Sequence, residues 1–249
     1  MEHTKKAPKL GYICKYVPVE VLEAAGINLC RIEPQAADFC RADTLMHANV
    51  CSFVRAVLED FADHDYDGMI LTTCCDSTRR LYDTLCANWP DRFFYCLDLP
   101  HKVNDFADSL YAKHIRRMLD AWETYAKEKG FHTASDTIAQ EQYDAGSTVF
   151  PTDECHLSIG LVGARPGDSI RELLKSKGIR IGFDMTCTGA PRNFDFPVSD
   201  NAAGIAADET SMDSSLRSYT HDLLNQIPCM RMADASGRQQ FLQDMSEQV

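Results

Sequence analysis

Five cysteines stand at positions where chemistry is commonly done. Cys14, Cys74, Cys75 and Cys187 each follow an apolar run of strand type, in KLGYIC, GMILTTCC and IRIGFDMTC, while Cys51 and Cys75 directly precede helix starts in CSFVRAVLED and CDSTRRLYD. The first amides of a helix have no intrahelical partner and carry partial positive charge. That field favours thiolate over thiol and would equally stabilise an anionic metal cluster. Thiolates gathered in this way can bind zinc, hold an iron–sulfur cluster or act as nucleophiles. The chain has no C-x₂₋₄-C pair of zinc-site type and no closely spaced ferredoxin-like run. Cys74 and Cys75 are vicinal, a spacing that rarely lets both side chains reach one metal. Dispersed cysteines on separate strand–helix junctions suit a cluster held between elements.

The elements that must position these residues follow from periodicity. Short strands are expected at 9–14, 27–32, 68–73 and 93–97. Helices are expected after Pro18, over SFVRAVLEDFAD, from 77 to 86, and from an Asn104 cap to Gly130. The last of these is given an apolar stripe of Phe106, Leu110, Ile115, Met118, Leu119 and Trp122. Strands alternating with helices predict an α/β fold with mainly parallel sheets. Residues 131–155 are polar and read as a linker between an N-terminal α/β domain, 1–130, and a second α/β domain, 156–249. That second domain has strands at 157–163 and 179–185 and helices at 168–177 and 211–226. In open parallel sheets ligands bind outside the carboxyl ends of the strands, which is where the five cysteines fall.

Composition narrows the function classes. The 249 residues carry a net charge of -12 with no basic stripe, which argues against a nucleic-acid partner. No apolar stretch is long enough for a membrane helix and no signal-type h-region follows the N-terminus, so a cytoplasmic location is expected. Eleven cysteines, an odd number, cannot all pair within one chain. Cys30, Cys86, Cys96 and Cys155 sit in or beside apolar runs and read as core thiols.

The stretches GYICKYVPVEVLEAAG, CSFVRAVLED, ILTTCCDSTRRLYD, CLDLPHK and DMTCTGAPR, in this order, resemble the 2-hydroxyacyl-CoA dehydratase family, from about Leu10 onward. That family includes 2-hydroxyglutaryl-CoA dehydratase subunits, benzoyl-CoA reductase subunits and double-cubane cluster proteins. The resemblance implies flavodoxin- or Rossmann-like α/β domains, a [4Fe-4S] cluster on three cysteines per subunit, an ATP-dependent activator protein that injects a low-potential electron, and a second subunit in a homo- or heterodimer. It also implies an acyl-CoA thioester substrate, from which water is eliminated by a radical route after one-electron reduction. Cys51 matches the family's first ligand and Cys75 its second, with Cys74 a neighbour or an alternative ligand. The third ligand of relatives lies in a later phenylalanine–cysteine segment. Phe39–Cys40 has that dipeptide but comes too early, and Cys187 resembles a site-lining motif that could supply the ligand instead. The chain ends at Val249 where relatives continue, so the second domain is expected to be incomplete, the chain being either truncated or a naturally shortened member of the family.

The catalytic residues are left unassigned. Arg55, Arg79 and Arg80, one turn beyond the cysteines, are candidates to neutralise cluster charge or meet a CoA phosphate, or else form a solvated helix face. His101, Lys102 and Arg192 are candidate substrate contacts, and Asp184 with Arg192 is equally read as a structural ion pair. GARPGD (163–168) is a weak anion-loop candidate, and His221 reads as a surface residue. Two alternatives stand beside the dehydratase reading. One is a cluster-carrying electron-transfer or accessory reductase protein without dehydratase activity. The other is a cluster-free α/β binding module.

Overall fold

Residues 8–34, 38–131, 157–187, 209–226, 228–233 and 235–247 are described by the structure, a computed structural model. Contacts divide the described chain into two units. The first holds β1 (Lys9–Tyr12), α1 (Val19–Ala24), β2 (Asn28–Arg31), α2 (Cys40–Leu45), α3 (Ser52–Asp63), β3 (Gly68–Thr72), α4 (Asp76–Asn88), β4 (Phe93–Leu97), α5 (Asp105–Lys129) and α7 (Glu209–Asn225). The second holds β5 (Leu157–Gly163), α6 (Asp168–Ser176), β6 (Ile179–Thr186) and α8 (Ala235–Ser246).

The first unit is a four-stranded parallel sheet in the order β2-β1-β3-β4. This matches the first four strands of a flavodoxin-like order, and β1 and β3 are the central pair of the sheet. Alternation along β3 divides the core. Met69 and Leu71 join Val54, Val57, Leu58, Phe61, Leu81 and Leu85 in one cluster beneath α3 and α4. Ile70 and Thr72 point to the other face, by the two-residue period of a strand. Gly68 begins β3 because nothing larger fits: a Cβ there would lie 1.9 Å from the carbonyl oxygen of Phe93. The sheet continues past its strands, with Thr73 N donating to Leu97 O at 2.8 Å and Thr73 Oγ1 donating to Asp98 Oδ1 at 2.9 Å. These bonds tie the loop after β3 to the loop after β4.

Helix α5 has the expected ends. The Asn104 side chain accepts from Ala107 N, and Gly130 closes the helix in the left-handed region at φ 66°. Its buried stripe keeps Ile115, Met118 and Trp122 as expected, leaves Leu110 and Leu119 half-buried, and differs most at Phe106. Phe106 is 75% exposed, whereas Asp108 is buried alongside Tyr111, Ile115, Met118 and Trp122. At about 100° per residue, Phe106 lies about 200° round the helix from the Asp108 row, so the helical period itself turns it outward. Helix α7 packs on this unit. Tyr219 Oη donates to Glu20 of α1, and Thr220 Oγ1 donates to the Asp108 carbonyl at 3.0 Å.

In the second unit β5 and β6 pair in parallel with a register shift between Ile159 and Gly160. Gly160 is required there, since a Cβ would meet the Phe183 ring at 2.0 Å. Arg171 of α6 forms an ion pair with Asp184 of β6. Both sheets are parallel, as expected; the short helix α2, with Ala42 N bonded to the buried Glu59 carboxylate at 2.8 Å, is additional to the expected elements.

Phe61 is fully buried and meets the rings of Tyr66, Trp89 and Phe94 at 5.5–5.6 Å between centroids. Phe61→Ala is expected to destabilise the first unit by about 3–5 kcal/mol. Leu173→Ala, at a position 56% exposed, is expected to cost less than about 0.5 kcal/mol. Urea denaturation of both variants checks the pair.

Candidate functional site

The central strands deliver the thiols. β1 and β3 are adjacent and parallel, so the turns that follow them leave the same edge of the sheet. Cys14 lies in the first turn and Cys74 and Cys75 in the second. Cys14 is buried, and its thiol lies close enough to that of Cys74 to act on its ionisation. Thr78, one turn into α4, lies below both vicinal cysteines, with its hydroxyl 3.3 Å from Cys74 Sγ and 2.9 Å from Cys75 Sγ.

Cys75 and Cys51 occupy equivalent places on neighbouring helices. Cys75 is the extended N-cap of α4 and Cys51 the N-cap of α3, and each carbonyl accepts from the amide four residues on, Arg79 and Arg55. The two N-termini meet through Cys51 N, which donates to Ser77 Oγ at 3.4 Å. Cys51 is exposed, whereas Cys75 and Cys74 are half-buried. The site therefore offers two sulfur donors at adjoining helix starts, where the unbonded amides favour an anion.

The thiols also act on one another. The neighbouring Cys14 thiol, with burial adding to it, pushes Cys74 up to about 12. Cys75 is raised as well, first by its hydrogen bond to Cys74 and then by burial, with Thr78 opposing. Cys96 on β4 is pushed up to about 12 by burial, with the nearby Cys74 contributing. Crowded, partly buried sulfurs disfavour having several thiolates side by side.

The remaining sequence-predicted residues fall in several places. The Arg55 guanidinium lies 4.4 Å from the Phe39 ring centroid and pairs with Asp43 of α2. Arg79 and Arg80 are exposed on α4, and Arg80 pairs with Asp83 at 3.0 Å. His101 and Lys102 belong by contact to the second unit, where the His101 carbonyl accepts from Ala233 N at 2.6 Å. Cys187 follows β6 in that unit, its amide bonded to the Gly163 carbonyl at 3.1 Å. Asp184 is partly buried, which opposes ionisation, but the Thr186 and Arg171 hydrogen bonds outweigh this and hold its carboxyl below the ordinary value. Arg192 and Cys155 lie outside the described residues.

Three residues at the site had no signal strong enough to be singled out from sequence. Ser77 and Thr78 read only as polar residues of a first helical turn, yet both serve the cysteines. Lys15, one residue beyond Cys14, is 1% exposed with its ammonium 5.7 Å from the Tyr16 ring centroid. A lysine in a polar-looking turn gives no sign of such burial, since the type is mostly exposed.

A [4Fe-4S] group requires soft thiolate donors, and Cys51 and Cys75 meet that requirement at two positions. Among the described residues no set of three Cys, His, Asp or Glu side chains is arranged to hold a metal ion. No helix of the described residues is long and apolar enough to cross a membrane.

The geometry orders the thiols by access. Alkylation of the folded protein near neutral pH is expected to modify Cys51 and Cys40, both exposed, first. Cys74 and Cys75 should lag, because the thiolate is the reactive form and both are held up. Cys14 and Cys229, both buried, should react only after unfolding. Time-resolved peptide mapping by mass spectrometry checks this order.

Comparison with known proteins covers the same segment. A family model described as the D-component of 2-hydroxyglutaryl-CoA dehydratase matches residues 14–142, just over half of the chain, from Cys14 through all of α5. No curated protein matches the chain. With its parallel α/β sheet and with the junction cysteines Cys14, Cys51, Cys74 and Cys75 inside the matched segment, the chain belongs to the 2-hydroxyglutaryl-CoA dehydratase D-component family.

Proposed function

We propose that this chain is the iron–sulfur component of a 2-hydroxyacyl-CoA dehydratase-type enzyme, with Cys51 and Cys75 as thiolate ligands of a [4Fe-4S] cluster. The observation that carries this reading is the meeting of the α3 and α4 N-termini, each capped by a cysteine and joined by the Cys51–Ser77 bond, in a chain of this family. When bound, the cluster would supply one-electron reduction and a Lewis-acid site for the departing hydroxyl.

The protein's own part is electrostatic and positional. The first amides of α3 and α4 favour the negative charge of the ligated sulfurs. Ser77 fixes the Cys51 backbone and Thr78 holds the Cys75 sulfur. The hydrophobic cluster under α3 and α4 keeps those helices, and hence the two caps, at a set separation. Cys74 and Cys187 remain the candidates for a third ligand. Arg55, Arg79, His101, Lys102 and Arg192 are proposed to meet the acyl-CoA thioester. Arg55 would do so only on releasing Asp43. An ATP-dependent activator protein and a second subunit complete the proposed system, with a cytoplasmic location.

Protein prepared without oxygen is expected to carry about four iron and four sulfide per cluster. Cys51→Ser and Cys75→Ser should each remove most of that iron, whereas Cys30→Ser and Cys86→Ser should leave it in place. Iron and acid-labile sulfide after anaerobic gel filtration provide the measurement. Equal loss in all four variants, or iron-free wild type, would sink the assignment. Turnover of a 2-hydroxyacyl-CoA with the activator then separates a dehydratase from an electron-transfer protein.

A further inference from the structure

Thr78 stands in the first turn of α4 and is 1% exposed. Its hydroxyl is shared between two sulfurs, 2.9 Å from Cys75 Sγ and 3.3 Å from Cys74 Sγ. Other helical threonines of the chain behave differently. Thr44, Thr84 and Thr124 each donate to the carbonyl four residues back. Four residues before Thr78 is Cys74, which lies ahead of the helix, and there the hydroxyl meets the thiol instead of the carbonyl. Among the described residues the hydroxyl has no third hydrogen-bond partner.

A threonine hydroxyl has one proton to give and two lone pairs with which to accept. With two sulfurs as its partners, it donates to one and accepts from the other. A sulfur bound to iron carries no proton and can only accept. With Cys75 as the ligand, the single hydroxyl proton goes to Cys75. The contact with Cys74 is then a hydrogen bond only when Cys74 keeps its own proton and donates it. With both cysteines as ligands, the hydroxyl would face two acceptors with one proton, and one buried contact would be left unmade. Charge-assisted bonds are the shorter ones, and the shorter contact here is the one to Cys75.

We propose that Thr78 is the positioning residue that distinguishes the vicinal pair: it donates to the ligating Cys75 sulfur, holds Cys74 as a protonated neighbour, and so sets how readily the bound cluster is reduced. This inference rests on the iron–sulfur reading and narrows it, because Cys74 then leaves the candidates for a third ligand. A donor on a ligating sulfur offsets the negative charge that one added electron brings, so the bond favours the reduced state. The electron comes from the low-potential activator, and the hydroxyl keeps its proton throughout.

The test uses the whole chain prepared without oxygen. Iron and acid-labile sulfide are counted per chain, and the one-electron potential is followed by electron paramagnetic resonance during a redox titration. Thr78→Val removes the hydroxyl at nearly constant volume, and Thr78→Ser keeps it. Thr78→Val should retain its iron but be harder to reduce, its reduced-to-oxidised ratio at a fixed potential falling about tenfold, which is about 59 mV for one electron. Thr78→Ser should restore the wild-type potential. Cys74→Ala should keep its iron, whereas Cys75→Ser should lose most of it. Iron-free wild type overturns the cluster reading itself. Loaded wild type with a Thr78→Val variant that titrates at the same potential overturns this proposal alone. So does a Cys74→Ala variant that loses its iron while its helical circular dichroism is intact, and this second arm decides the matter if Thr78→Val sheds its cluster.

Discussion

The pairing of β1 with β3 is the constraint on which the candidate site depends. Tyr12 lies opposite Ile70 in that ladder, so the residues just beyond the two strands are neighbours at one edge. This puts Cys14 beside Cys74. The same strand, β3, launches α4 and so sets where Cys75 and Thr78 stand. The pairing in turn depends on close backbone approach: Gly68, in contact with the Phe93 carbonyl, lets β3 bond β1 on one side and β4 on the other. A side chain at 68 would disturb both ladders and, through them, the geometry of the thiols.

Two electrostatic influences meet at these cysteines and act in opposite directions. Helix N-termini favour thiolates. Crowding and burial favour thiols, and for Cys74 and Cys75 the second influence prevails. A cation removes the conflict, because ligated sulfurs no longer repel one another. Binding of a metal or cluster would therefore release protons and order the turns around it, which links occupancy of the site to local stability.

Much of this was legible in the sequence, for identifiable reasons. The α/β alternation is written in apolar periods, and the junction cysteines stand at the ends of those periods, so their sheet edge could be read without coordinates. What could not be read depends on contacts between distant segments. Arg55 had the place of a cluster-neutralising cation, but its partners Asp43 and Phe39 come from α2 and the turn before it. Phe106 reads as core because it is aromatic and close to the stripe, although the helical period gives that row to Asp108. A buried aspartate is an uncommon choice, and only its partners on α7 explain it. His221 reads as a surface residue and is one, its side chain 57% exposed; what the sequence does not show is its anchor, Asp108, 113 residues away.

The return of α7 to the first unit bears on how the protein is made. Glu20 and Tyr219 are separated by 199 residues, and Asp108 and Thr220 by 112, so the surface that α1 and α5 offer to α7 is synthesised long before the helix that covers it. During translation the sheet can pair and α3 and α4 can close over one face as soon as α5 has left the ribosome. The opposite side must wait until α7 has been made, with Asp108 and the apolar residues around it open to water and to other nascent chains. Domains fold mainly as units during synthesis, and unfinished ones are the species that aggregate. A chaperone that shields the exposed α1–α5 surface until α7 has been made would therefore bear on yield.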